Sequence, residues 1–282
     1  MTPDRRLTLA RPDLADVALE GTVAAARYVA PTRRRVRAPL VDLRPQPRLD
    51  VGIDTQALMG EAVEVLDVDE EGFAFVRLAR DGYVGYLSAD ALGEAEPAPT
   101  HRVAALRSFL YPGPSMKLPI AGWLTLGAEI TIVETRGDFA HAPGAGWLYR
   151  PHLAGIDAPA EPDYVAVAER FLHTPYLWGG VSSLGLDCSG LVRAALHAAG
   201  RACPRDTDMQ EAALGETLAD DAPLRCGDLV FWKGHVGIMR DRETLLHANG
   251  WHMAVASEPL AQARARILEK SFGPVTRLAR LL

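Results

Sequence analysis

Apolar residues along this chain follow two rhythms, and they assign different elements to its two ends. From about Thr22 to Gly93 the apolar stretches are short and broken by turn residues, as in Val36–Leu43, Ala62–Val68, Phe73–Leu78 and Tyr83–Leu87. Strands at such close spacing, with Gly and Asp between them, predict a small β-barrel. The segment Pro97-Ala98-Pro99-Thr100 reads as a linker. A second set then follows, with Thr125-Leu126-Gly127, Ile130–Val133, Phe139–Ala142 and Gly146–Tyr149, so the barrel pattern looks duplicated. After a second linker at Ile156–Pro162 the period changes: Val165–Leu172 reads as a helix, and Leu191, Val192, Ala195 and Leu196 recur at helical spacing behind Asp187.

Composition narrows the class without naming a function. The chain has 282 residues, 48% of them hydrophobic, and a net charge of −6, which suits two or three domains of an ordinary soluble protein. No run of about 18 uncharged apolar residues exists, so no membrane partner is expected. No basic stripe exists for nucleic acid. Asp13, Asp16 and Glu20 interrupt the N-terminal region before an apolar core can form, so it does not read as a secretory signal. Three cysteines make no disulfide framework and suit a reducing compartment, so the expected location is cytoplasmic.

The candidate chemistry centres on Leu186-Asp187-Cys188-Ser189-Gly190-Leu191-Val192. A cysteine in the first turn of a helix meets the positive end of the macrodipole, which favours its ionised, nucleophilic form. Downstream, His235 in Gly234-His235-Val236-Gly237 is placed to act as base, and His247 in Leu246-His247-Ala248 to orient it. The turn Asp241-Arg242-Glu243 lets the two segments pair as a hairpin. Cys203 and Cys226 lack a matching histidine and read as small hydrophobes, while His141, His173, His197 and His252 read as structural or surface groups. The Cys188 N–H, free at a helix start, would serve an oxyanion. Asp187 and Ser189 flank the nucleophile and can reach the substrate side of the cleft.

Thr174-Pro175-Tyr176-Leu177-Trp178-Gly179-Gly180, Gly185–Val192, Gly227–Trp232, His235–Ile238 and Leu246-His247-Ala248 together resemble, in order, the NlpC-type papain-like cysteine peptidases. The resemblance covers about the last 120 residues. Pro204-Arg205-Asp206-Thr207-Asp208-Met209-Gln210 is similar to the branch that cuts the γ-D-glutamyl bond to a diamino acid, meso-diaminopimelate or L-lysine, in wall peptides. The resemblance implies an α+β papain-like domain at 158–282, preceded by an N-terminal segment plus a first bacterial SH3-like barrel at 1–96 and a second such barrel at 97–157. It implies Cys188, His235 and His247 as the catalytic set and Tyr176 as an oxyanion donor, with Asp206 and Thr207 contacting an N-terminal L-alanine and D-glutamate. The first barrel resembles one that recognises a free α-amine, where Glu61 would add counter-charge and Tyr83 a wall, or where both merely belong to a turn and a barrel core.

The resulting expectation is a cofactor-free endopeptidase acting on small muropeptide stem peptides in murein peptide recycling, with Asp187, Asp206 and Glu61 meeting the ammonium. Three other readings compete. Cys188, His235 and His247 would suit zinc, although no paired ligand spacing accompanies them. An NlpC-type amidase or acyltransferase would use the same pair on another amide or ester. A cell-wall-binding module would need no catalysis.

Overall fold

The computed structural model describes residues 4–281 and divides into two compact units, one ending at Ala158 and one beginning at Pro159. In the first unit a five-stranded antiparallel sheet runs in the order Leu92–Gly93, Thr32–Val36, Ala62–Val68, Phe73–Leu78, Val84–Ser88. Alternation sets its faces: Val63 and Val65 point inward, while Glu64 lies opposite Arg77 and pairs with it at 2.6 Å. A hairpin, Leu40–Leu43 with Thr55–Leu58, completes the module and meets it at an Arg44–Tyr86 bridge. The apolar stretch Val36–Leu43 is therefore two strands with a turn at residues 37–39, where Pro39 has no N–H to offer a ladder.

The same order of elements recurs from His101 to Gly155. It runs His101–Val103, the hairpin Arg107–Leu110 with Gly122–Thr125, then Glu129–Ile130 and the meander Glu134–Arg136, Phe139–Ala142, Gly146–Tyr149. Each copy ends in a 3-10 turn, Ala89–Ala91 or Arg150–His152, and a last strand that returns to pair with the copy's first. The stretch Ile130–Val133 does not continue as a strand: the Ile132 N–H donates to the Thr100 hydroxyl, and Val133 is exposed. The chain before Thr32 packs onto the first copy. Leu9 and Leu14 join Leu66, Phe75 and Val84 in one apolar cluster, and Asp16 takes an ion pair from Arg77 at 2.9 Å.

In the second unit a six-stranded antiparallel sheet runs Glu216–Thr217, Val275–Arg280, Asp228–Trp232, His235–Met239, Thr244–Asn249, Ala254–Pro259. Helix α1 (Tyr164–Glu169) starts at Asp163, whose carboxylate accepts from the Val165 N–H. The apolar pattern predicts it to Leu172, but it ends at Glu169, and His173 turns back with φ 69°. Helix α2 (Cys188–Ala198) buries Leu191, Val192, Ala195 and Leu196 and packs on α1 and on the strand His235–Met239. Helix α3 (Thr207–Ala213) follows, and helix α4 (Leu260–Lys270) closes the far side of the sheet. There Leu260 and Ile267 join Val230, Trp232, Met239, Leu245 and Leu278. Each of those two side chains contributes about 1.5–3 kcal/mol by burial, which fixes α4 against the strands that carry the histidines.

Candidate active site

Asp187 caps α2 by accepting from the Gly190 N–H at 2.6 Å, which places Cys188 at the first helical position. A side chain at Gly190 would meet the Gly180 carbonyl at 2.1 Å, so glycine is what allows the Gly179-Gly180 turn to lie on the first turn of α2. Cys188 is 7% exposed. Its Sγ lies 3.6 Å from the Thr207 hydroxyl and receives backbone N–H groups from Val236 and Ser189. The contact with Val236, next in the chain to His235, brings the start of α2 to the strand His235–Met239.

The helix dipole is expected to favour the thiolate at Cys188. The structure corrects this. Burial, and then the negative Asp187 next to it, push the thiol up to about 11, against the N–H and hydroxyl donors that pull it down. His235 is 3% exposed, and burial holds it down to about 3, helped by its contact with His247. At rest both groups are thus uncharged: a neutral thiol at the start of α2 and a neutral imidazole on the strand His235–Met239.

The hairpin is present, with Ile238 opposite Leu246 and Met239 opposite Leu245, and Asp241 Oδ1 accepting from the N–H groups of Glu243 and Thr244 in the turn. It brings His235 Nε2 to 2.8 Å from His247 Nδ1. The ring of His235 is also stacked on Phe272 at 5.3 Å and lies against Trp232. Beyond His247, sequence reasoning missed two residues. Glu258 Oε1 is 2.8 Å from His247 Nε2, and Arg266 grips both Glu258 oxygens at 2.5 Å each. Burial alone would raise the Glu258 carboxyl, but its hydrogen bonds from Arg266 and His247 win and hold it down to about 2. Their sequence signal is faint: an acid on an edge strand and a cation on the next helix resemble solvated surface charges.

The substrate-side residues fare differently. Tyr176 is half-buried, and its hydroxyl is kept protonated, first by burial and then by the neighbouring Cys188 and Asp187, so it stands as a donor near the thiol. Thr207 opens α3 and touches Cys188, while Asp206 is the residue before that helix, and its side chain makes no cap bond. Asp187 and Ser189 do not stand ready on the substrate side as expected. Asp187 accepts from Gly179, Gly190 and both terminal nitrogens of Arg205, the latter at 2.6 and 3.0 Å. The Ser189 hydroxyl donates to Asp187 at 3.2 Å and accepts from Arg205 at 2.7 Å. Arg205, 1% exposed, stands in the quoted Pro-Arg-Asp-Thr run, yet only the fold shows that it neutralises Asp187. Asp187 is therefore buried and held by Arg205 rather than open toward a substrate ammonium.

In the first unit, Glu61 is buried rather than a solvated turn group. Its Oε2 accepts from the Leu58 N–H at 3.2 Å and its Oε1 lies 3.8 Å from Arg80. Tyr83 is 2% exposed, while Tyr86 stacks on Phe75 at 4.8 Å against the N-terminal segment. Zinc is disfavoured by the donor geometry. The nitrogens of His235 and His247 that face each other share a proton, so they do not converge on one ion. The grouping of His247, His252 and Glu258 is crossed by the Arg266 guanidinium.

Residues 173–267 match the NlpC/P60 family, and residues 43–92 match the bacterial dipeptidyl-peptidase Sh3 domain. The γ-D-glutamyl-L-lysine dipeptidyl-peptidase of Bacillus subtilis (strain 168) is 28% identical over 218 residues, covering 70% of this chain and 72% of that protein. Dipeptidyl-peptidase 6 of Lysinibacillus sphaericus is 26% identical over 241 residues, covering 76% of this chain and 86% of its own. A solved NlpC/P60 family protein from Bacillus cereus ATCC 10987 shares the fold, with a TM-score of 0.72 at 19% identity over 89% of this chain and all of that one. A thiol at a helix start and a buried imidazole line, inside a matched NlpC/P60 segment that follows a matched SH3 segment, identify the chain as an NlpC-type cysteine peptidase with an SH3-like N-terminal domain.

Proposed function

We propose that this peptidase hydrolyses the γ-D-glutamyl bond to the third, diamino residue of peptidoglycan-derived peptides that carry a free N-terminal L-alanine. The observation that carries this reading is the extent of the likeness. Two proteins named as dipeptidyl-peptidases align across most of this chain rather than across a short motif. A dipeptidyl-peptidase counts two residues from an amino terminus, so it must distinguish a free amine from a blocked one.

In this reading Cys188 attacks the γ-carbonyl while its proton passes to His235, and the oxyanion is met by the Cys188 N–H and the Tyr176 hydroxyl. His235 then gives the proton to the leaving amine. Water, deprotonated by the same imidazole, releases L-Ala-D-Glu. Asp206 immediately precedes Thr207, which touches Cys188, and on that placement we assign Asp206 to the ammonium. A role in recycling freed wall peptides in the cytoplasm suits three cysteines that are all free thiols.

The test is incubation with L-Ala-γ-D-Glu-L-Lys and its meso-diaminopimelate counterpart, each free and N-acetylated, followed by mass spectrometry. The free peptides should release L-Ala-D-Glu. The acetylated ones should react at least about 100-fold more slowly, the equivalent of about 2.7 kcal/mol, because acetylation removes the charge that Asp206 pairs with. Equal cleavage of free and blocked peptides would refute the free-amine requirement.

A further inference from the structure

Glu258 lies on the strand Ala254–Pro259 and, in register, is the diagonal cross-strand neighbour of His247, since His247 faces Ala256 and Leu245 faces Glu258. This puts its carboxylate on the same face as the imidazole. Arg266 of α4 holds the carboxylate from the other side, and its guanidinium lies over the Trp251 ring at 5.4 Å. A carboxylate so paired is ionised and can only accept.

Proton positions along the line then follow one another. The 2.8 Å bond between Glu258 and His247 requires the proton on His247 Nε2. A neutral imidazole carries one proton, so His247 Nδ1 is bare and acts as an acceptor. The 2.8 Å bond from His235 must therefore be donated by its Nε2–H, and His235 Nδ1 is left bare in turn. Both rings are buried, and two cations in contact there would repel each other, so neither takes a second proton at rest. We propose that Glu258 is a positioning residue that sets the direction of this proton line, holding His247 and His235 as Nε2–H tautomers so that His235 Nδ1 is the base. The inference rests on reading Cys188 and His235 as the reacting pair, but its central claim concerns where two protons sit in the resting protein.

The wild-type protein, labelled with 15N-histidine, tests that claim directly at neutral pH. Both His235 and His247 should show the Nε2–H pattern. A proton on Nδ1 of either ring overturns the proposal, whatever peptide the enzyme cuts. The variant Glu258→Gln extends the test. Arg266 will draw the amide oxygen to itself and leave the NH2 facing His247 Nε2. That reverses the line and puts a proton on His235 Nδ1. We expect both 15N patterns to invert and kcat on L-Ala-γ-D-Glu-L-Lys to fall about 100-fold or more, on the scale of a wrong-tautomer defect, with little change in KM. Glu258→Asp should recover the wild-type 15N pattern. A folded Glu258→Gln protein with unchanged tautomers and unchanged kcat also overturns the proposal, and if that variant does not fold, the wild-type spectrum decides alone.

Discussion

At the scale of single residues, two local effects compete at Cys188. The free N–H groups of a helix start favour negative sulfur, while burial and the Asp187 charge oppose it, and the second pair prevails by lifting the thiol to about 11. The rate of iodoacetamide inactivation should therefore climb steadily with pH from 7 to 10. A plateau below pH 7 would indicate a preformed thiolate–imidazolium pair and refute the neutral resting state. Cys188→Ala should abolish hydrolysis and leave the circular dichroism spectrum unchanged. Cys226→Ala, at an exposed position, should keep wild-type kcat, and a loss there would mean that the nucleophile is misassigned. Position in the sequence was enough to place Cys188 at a helix start, because an Asp before and Ser-Gly after it mark one. Its ionisation was not legible, because that depends on what lies over it.

At the scale of elements, α2 is held at its start by more than a cap. An N-cap aspartate removed alone costs about 1 kcal/mol, whereas stripping one partner from a buried ion pair costs about 3–5 kcal/mol. Asp187 is both, since it caps Gly190 and compensates Arg205, which is 1% exposed. The ion pair is the larger effect, so Asp187→Ser, which keeps a capping hydroxyl, should lose nearly as much stability as Asp187→Ala in urea unfolding. If serine recovers most of the loss, the cap dominates and the Arg205 pair is minor. The β-hairpin that joins the histidines was legible from the Asp241 turn between two apolar runs. The partner of His247 was not, since Glu258 and Arg266 come from a different strand and helix whose local pattern shows no pairing.

At the scale of the whole molecule, burying neutral histidines ties folding to pH. His235 is held down to about 3, and His247 is also lowered from 6.5, both chiefly by burial. As pH falls below 6.5 the unfolded chain binds protons at both positions that the folded chain refuses, at His235 down to about 3. Their contribution is thus complete above about pH 6.5 and is lost as pH falls, for His235 down to about 3, at up to about 1.4 kcal/mol per pH unit for each histidine. Urea midpoints measured from pH 7 down to pH 5 should fall, and His235→Gln should flatten part of that slope. An equal slope in the variant would place the acid sensitivity elsewhere.

Period and turn chemistry in the sequence determined that short strands precede a helix-led domain, that the strand pattern occurs twice, and that a cysteine opens a helix with two histidines downstream. These features are local: each depends on residues within a few positions of one another. The tertiary structure alone decided that the N-terminal segment joins the first module's core, that Glu61 is buried, and that Arg205 consumes the charge of Asp187. It alone decided that the histidine line ends on Glu258 and Arg266. Each of those depends on desolvation and on partners far apart in the chain, and neither can be read until the strands have found their neighbours.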